Sequence, residues 1–375
     1  MKTTAYNFYD PGNWLAELTE NVADFLRQSQ DLQQPGRYLP CQEGLTQAGR
    51  NLTLGPACFA VKTLYTIGRW GQLDTKTRLA HTNLIVSYQT PDGAGQGWGR
   101  GAFADPTVMQ WLRSKHRWHK RVVSRLKGDR SLSPIDRAYL AETKQAIVTL
   151  AQVGVEPPAT YTALPRTAAA LDDFLGRLDW RFPWAAGGQF SCVATLLAHG
   201  ARRDPSLVDL VARCIRQAES LVDPLTGAYF AGPRPDQPEL INGAMKILTA
   251  LHWCGEPVHH PERLIDTCLR KSPETSGCHL VDAVYVLYQC GTQTDHRRDE
   301  RRAFCERILD RIQRHYGRDG GFSNEVDRSQ TNYYGVRIAE GRNASDLHST
   351  CLLTWALAML SELLELGLPW EIITP

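Results

Sequence analysis

Residues 277–291 read GCHLVDAVYVLYQCG, an apolar helical stretch interrupted by one carboxylate, Asp282. An ionised acid on an otherwise apolar wall is expensive unless it is paired or faces a wetted hollow. Near the start of its helix, Asp282 reads either as a carboxylate held by the helix dipole or as a group with a chemical task. Asp346 and His348 occupy a similar place in SDLHSTCLLTWALAML (345–360). Asp346 also suits a helix N-cap, whereas His348 can change charge near neutral pH. Acid–base catalysis needs groups of this kind, positioned to give or take a proton.

Further candidates flank them. SQTNYYG (329–335) brings Gln330, Asn332, Tyr333 and Tyr334 onto one loop, a mixture of amides and aromatic faces that suits a carbocation or a sugar ring, or simply covers a core. ELINGAMK sets Glu239, Asn242 and Lys246 on one helix face, as acid–base groups or as a hydrogen-bond ladder. Trp98, Trp180, Trp184 and Trp355 could line a pocket or fill volume. WLRSKHRWHKRVVSRLKGDR (111–130) is strongly basic and reads as a solvated surface or as a place for a phosphate, a diphosphate or an acidic partner. With a net charge of only +2 over the whole chain, nucleic acid is not expected.

The elements that must position these groups follow a slow rhythm. Helical segments rich in small residues, at 54–68, 188–200, 239–255, 277–291 and 345–360, alternate with helices that have a charged face. The charged set covers 14–29, 72–88, 134–152, 166–178, 205–222, 259–270 and 297–316. A sixth small-residue member is assigned to 102–114. Helices apolar nearly all round belong to an inner layer, and amphipathic ones to an outer shell. The alternation predicts an all-α fold, an (α/α)6 toroid, with long loops gathered at one mouth. One domain spans 1–375, with 111–133 as a basic insertion between helical hairpins.

Composition sets the outer limits. Hydrophobic and charged shares of 42% and 22% are those of a globular protein. No apolar run approaches the roughly 18–20 residues needed to span a bilayer, and the N-terminal residues carry no secretory pattern. Ten cysteines without a CxxC pair read as reduced, buried thiols, which implies the cytoplasm.

The quoted motifs carry a resemblance. LVDAVYVLYQCG resembles the inner helix of protein prenyltransferase β subunits, and DGGFSN followed by ASDLHSTCLLTWAL is similar to their final segment. The DGGF turn is also shared with the class II terpenoid cyclases. The resemblance implies a toroid with a central cavity and a hydrophobic or lipid-like small-molecule substrate. It also implies a zinc site, and here the chain departs: Asp282 matches the first ligand, but Val284 and Ser349 stand at the other two positions, so no metal and no cofactor is expected. The Asp-rich acid run of the cyclases is missing too. Asp172 and Asp173 are the nearest pair, on an outer helix.

The expectation is therefore a metal-independent cavity enzyme, lyase or isomerase in type, working by acid–base chemistry on an isoprenoid or similar hydrophobic substrate. Asp282, His348, Asp346, Tyr333 and Tyr334 are its catalytic candidates; Asn242, Lys246, Glu239, Trp98, Trp184, Gln330, Asn332 and Trp355 would bind substrate. A carbohydrate-active toroid of the polysaccharide lyase or uronyl/glycoside hydrolase kind, the hydrolase using Asp282 and Glu239 as its two carboxylates, and a non-catalytic binding toroid, stand as alternatives.

Overall fold

A computed structural model describes residues 14–91, 97–115, 131–273 and 275–374. Its helices run, in chain order, α1 (Trp14–Ser29), α2 (Gln47–Asn51), α3 (Leu54–Thr66), α4 (Thr75–Val86), α5 (Pro106–Lys115), α6 (Pro134–Gln152) and α7 (Ala168–Leu175). They continue with α8 (Pro183–Ala201), α9 (Val208–Leu221), α10 (Gln237–Cys254), α11 (Pro261–Leu269), α12 (Gly277–Gly291), α13 (Arg298–Arg314) and α14 (Leu347–Leu364).

Six of them close a ring. α3 packs on α6, α6 on α8, α8 on α10, α10 on α12, α12 on α14, and α14 returns to α3. Outside it, α4 leans on α3, α9 on α8, α11 on α12, and α13 on α14, while α7 rests on α9. α1 completes the outer layer; its Trp14 stacks on Tyr316 beyond the end of α13, with ring centroids 5.6 Å apart. The fold is the expected (α/α)6 toroid.

Local chemistry starts the inner helices at the same end. Ser133, Asp236 and Asp346 cap α6, α10 and α14 by accepting the amides of Asp136, Glu239 and Ser349. α3 is capped from a distance: Asp105 accepts the amides of Thr53 (2.8 Å) and Leu54 (3.0 Å). α8 and α10 touch backbone to backbone, because a Cβ on Gly243 would lie 2.7 Å from Pro183. The DGGF turn is tied to the start of α14. Asp319 accepts the amide of Ser345 (2.9 Å), and the Asp346 amide donates to the Phe322 carbonyl (2.9 Å).

Three expectations need correction. The sixth inner helix is α6, whose alternating charged pattern suggested the outer shell; Arg137 and Lys144 face the ring's interior, and Glu142 is buried. The segment 102–114 contributes α5 instead, which lies outside the ring and packs on α6 and on the 332–337 hairpin. Finally, α14 is long and apolar enough to cross a membrane, with a mean hydropathy of 1.3 over 18 residues, but 78% of that stretch is buried inside the ring. It is a core helix.

All ten cysteines are free thiols, seven of them buried. Of the basic stretch, residues 116–130 lie outside the described residues. Asp172 and Asp173 sit on α7, an outer helix, paired with Arg213 and Arg177.

Candidate functional site

The inner helices enclose a cavity of about 660 Å³ that runs from the loop mouth toward the far end of the ring. Much of its wall is apolar: Phe59 from α3, Leu140 from α6, Trp184 from α8, Met245 from α10, Leu352 and Trp355 from α14. Into it reach Lys62, Lys144 and Lys246, one each from α3, α6 and α10, together with Arg137 and His348. Among the described residues no Asp or Glu lines it. The lysines follow the first residues of their helices by eight, ten and nine positions. At 1.5 Å per residue that is roughly 12–15 Å below the mouth in each case. Three lysines therefore spring from the ring wall at a similar depth.

Their environment moves their proton equilibria. Burial pulls the Lys144 amine down to about 7; Cys192 opposes this, and Lys62 and then Lys246 add to it. Burial likewise lowers the Lys62 amine. His348 is pushed down to about 4, by burial first and then by Lys246, so its ring is neutral near pH 7. The His348 Nδ1 is buried without a hydrogen-bond partner, and the ring lies 5.0 Å from that of Phe59. A neutral imidazole and an amine that exchanges protons near neutrality are both suited to acid–base work.

The loop SQTNYYG forms a two-residue hairpin. β1 (Asn332–Tyr333) pairs with β2 (Val336–Arg337), and the turn holds Tyr334 at φ 44 and Gly335 at φ 80. Positive φ is costly for a tyrosine, about 1–2 kcal/mol, and it delivers the Tyr334 side chain into the cavity. Gly335 lies against Trp111 of α5, where a Cβ would come within 2.8 Å of the indole. Tyr333 turns the other way, into the wall beside Gly55 and Phe59. Neither Gln330 nor Asn332 lines the cavity: the Gln330 amide donates to Asp346 (2.8 Å), and the Asn332 amide group donates to Thr331 (2.9 Å).

The remaining sequence candidates divide into those the ring brings to the cavity and those it uses elsewhere. Lys246, Trp184, Trp355, Tyr334 and His348 line it. Asp282 is 2% exposed and lies in the wall behind; burial raises its carboxyl, opposed by Lys246 and then His279, and its Oδ2 has no partner. Asp346 is the cap of α14, with the Ser349 amide (2.8 Å) and hydroxyl (3.0 Å) on its oxygens, and burial raises its carboxyl to about 6. Glu239 accepts the amide of Trp184 (2.9 Å) and so caps α8 from α10. Asn242 meets His279 Nδ1 (2.8 Å) in a small crevice between α10 and α12. Trp98 packs on Phe174, outside the ring's interior. Among the described residues no group of three His, Cys, Asp or Glu side chains converges.

Sequence reasoning missed Lys62, Lys144 and Arg137. A signal for the first two was present. Lys62 in ACFAVKTLYT and Lys144 in LAETKQAIV have no acidic residue three or four positions away, unlike a lysine on a solvated helix face.

No protein-family model and no curated protein matches the chain. It is similar to several solved structures. One is the protein geranylgeranyltransferase-I of Candida albicans complexed with GGPP, 11% identical, TM-score 0.49, covering 88% of this chain and 90% of that one. A second is the GH76A α-1,6-mannanase of Salegentibacter sp. HEL1_6, 12% identical, TM-score 0.47, covering 93% and 98%. A third is a glycosidase variant in complex with glucose, 12% identical, TM-score 0.46, covering 96% and 100%. Identities this low transfer no chemistry, and the ring is established by its own helix packing.

Proposed function

We propose that this toroid is a cavity enzyme acting on a largely apolar molecule that carries an anionic group. The observation that carries the reading is the convergence of Lys62, Lys144 and Lys246 in an apolar-walled cavity that no described carboxylate lines. Burying several amines in one apolar-walled space is costly, and an anion entering among them relieves that cost. The apolar part of the ligand lies along Phe59, Leu352, Trp184 and Trp355. Proton transfer falls to neutral His348 and to Lys144 rather than to Asp282 or Asp346. Prenyl diphosphates and fatty acids both meet this description. A row of amines opposes a free carbocation, so proton transfer is preferred to cyclisation through one. Ten free thiols fit a reducing compartment such as the cytoplasm.

A uronic-acid lyase is the second reading. It rests on Tyr334, held at strained backbone on the same cavity as basic groups that could neutralise a sugar carboxylate. A two-carboxylate hydrolase receives no such support, because its acids would have to line the cavity.

The test is a thermal-shift and calorimetric series with decyl phosphate, farnesyl diphosphate, decanol and an oligogalacturonate. Decyl phosphate and farnesyl diphosphate are expected to stabilise the protein, and decanol to do little. Lys62→Met and Lys246→Met should each weaken the anions by about tenfold or more, the size of one lost charged hydrogen bond. Stabilisation by the oligogalacturonate alone would favour the lyase. No response to any anion would end both readings.

A further inference from the structure

We infer that the loop mouth is a docking face for a lipid bilayer with anionic headgroups, and that amphiphiles enter the cavity from that bilayer. The face itself stands apart from the ligand reading above; only the passage of an amphiphile through it rests on that reading.

Eight large apolar or aromatic side chains are exposed among the described residues, and six of them sit at one end of the ring. Leu32 lies between α1 and α2, Phe182 between α7 and α8, and Leu225 between α9 and α10. Val326 and Tyr334 lie between α13 and α14, and Trp184 is the second residue of α8. These connections lead from an outer helix toward the start of an inner one, which is the mouth end. The connections at the far end expose none among the described residues. The other two, Leu79 and Val208, belong to the outer helices α4 and α9. Exposed apolar groups gathered on one face mark a contact surface.

Three features select a bilayer as the partner. The six side chains are spread over four separate connections, so only a broad surface meets them together. Trp184 and Tyr334 are exposed and also line the cavity, so apolar surface leads from the face into the ring. An amphiphile leaving a bilayer there keeps its chain against protein and out of water. Trp and Tyr are the residues that settle at a membrane–water interface, with Phe and Leu inserted beside them. Charge is the third feature. On the hairpin side of the mouth Arg113, Lys115, Arg137 and Arg337 are exposed, and none forms an ion pair with a described carboxylate. Arg113 donates to the Tyr139 hydroxyl (3.1 Å), and Lys115 lies over the Trp111 ring. Cations in this position attract anionic headgroups. A second copy of the chain docked face to face would set them against their own counterparts.

The test uses the full-length protein and vesicles of phosphatidylcholine, alone or mixed equally with phosphatidylglycerol. Flotation is expected to carry the protein with the mixed vesicles, less with phosphatidylcholine alone, and less again in high salt. Phe182→Ser and the paired change Arg113→Glu/Arg337→Glu should each lower the partition coefficient by about tenfold. Leu79→Ser and Val208→Ser, away from the mouth, should leave it unchanged. On the unaltered protein, vesicles should slow hydrogen exchange at 176–186 and 325–337 and leave 202–208 as it was. Protection at 202–208, or an equal loss with Leu79→Ser or Val208→Ser, would overturn the docking face. Attachment that survives Phe182→Ser would be adhesion by charge alone and would overturn it too. A dimer formed without lipid and lost in Phe182→Ser would assign the face to a second copy instead. If decyl phosphate binds by calorimetry while neither vesicle does, the docking face falls and the ligand reading stands. Attachment through the mouth without decyl phosphate binding keeps the face and removes the passage of ligand. The exchange measurement needs no variant, so a substituted protein that fails to fold leaves the question answerable.

Discussion

Asp282 and Lys144 show how differently two buried ionisable residues can be used. Asp282 is the more conspicuous in sequence, yet it sits in the ring wall, where burial favours its neutral form and Lys246 opposes that. Lys144 reaches the cavity, and its amine, lowered to about 7, implies a pH-dependent stability. In the unfolded chain a lysine titrates near 10.4, so between about pH 7 and pH 10 the unfolded state holds the extra proton. Native stability therefore rises with pH across that window, and the whole penalty of burying the ammonium is felt below it. Lys144→Met removes the penalty. The variant should melt higher than the wild type by a few degrees at pH 6, with the margin shrinking toward pH 10; thermal melts at both pH values check this. An equal margin at both would mean that the amine is not desolvated in the native state.

Among the elements, α6 carries the sharpest lesson. PIDRAYLAETKQAIVTLAQ has the charged pattern of an outer helix, but Arg137, Lys144 and Gln145 point at the cavity. The sequence period tells a polar face from an apolar one and cannot say whether the polar face meets bulk water or an enclosed space. Glu142 on the same helix has a structural use: its Oε2 accepts the amide of Asp105 (2.8 Å), and Asp105 in turn caps α3. Asp105→Ala should cost about 1–2 kcal/mol through that cap, with more from the reorganisation of Glu142. Urea denaturation would read it as a lower midpoint with an unchanged slope. An unaltered midpoint would show that water replaces the cap without loss.

At the scale of the whole molecule, the ring is a tube and must be closed at the end away from the loops. The segment after α14 does this. Trp370 is buried and donates to Thr19 of α1 (2.9 Å), the Glu371 amide donates to the Thr66 carbonyl at the end of α3 (2.8 Å), and Thr374 meets the Tyr285 hydroxyl (3.3 Å). Ile373 forms part of the cavity floor. Ending the chain after Leu368 should lower the melting temperature by several degrees and open the floor to water. It should also weaken anionic amphiphiles more than Lys246→Met weakens them, since every contact in a wetted cavity is screened. A fully stable truncated protein with unaltered affinity would show that the segment only covers the ring.

The amino-acid sequence determined the helical class, the alternation of layers, five of the six inner helices and the loops of the mouth. These follow from periodicity and from small-residue content, which are local properties of the chain. It also marked Lys246, Trp184, Trp355, Tyr334 and His348, whose types stand out against their helices. Which polar groups look inward was decided only by ring closure. The rotation of each helix about its axis is set by neighbours far away in the chain: Gly243 against Pro183 fixes α10 on α8, and Asp105 fixes α3 beside α6. Three lysines springing from a similar depth are an outcome of those rotations together, and no single segment encodes it.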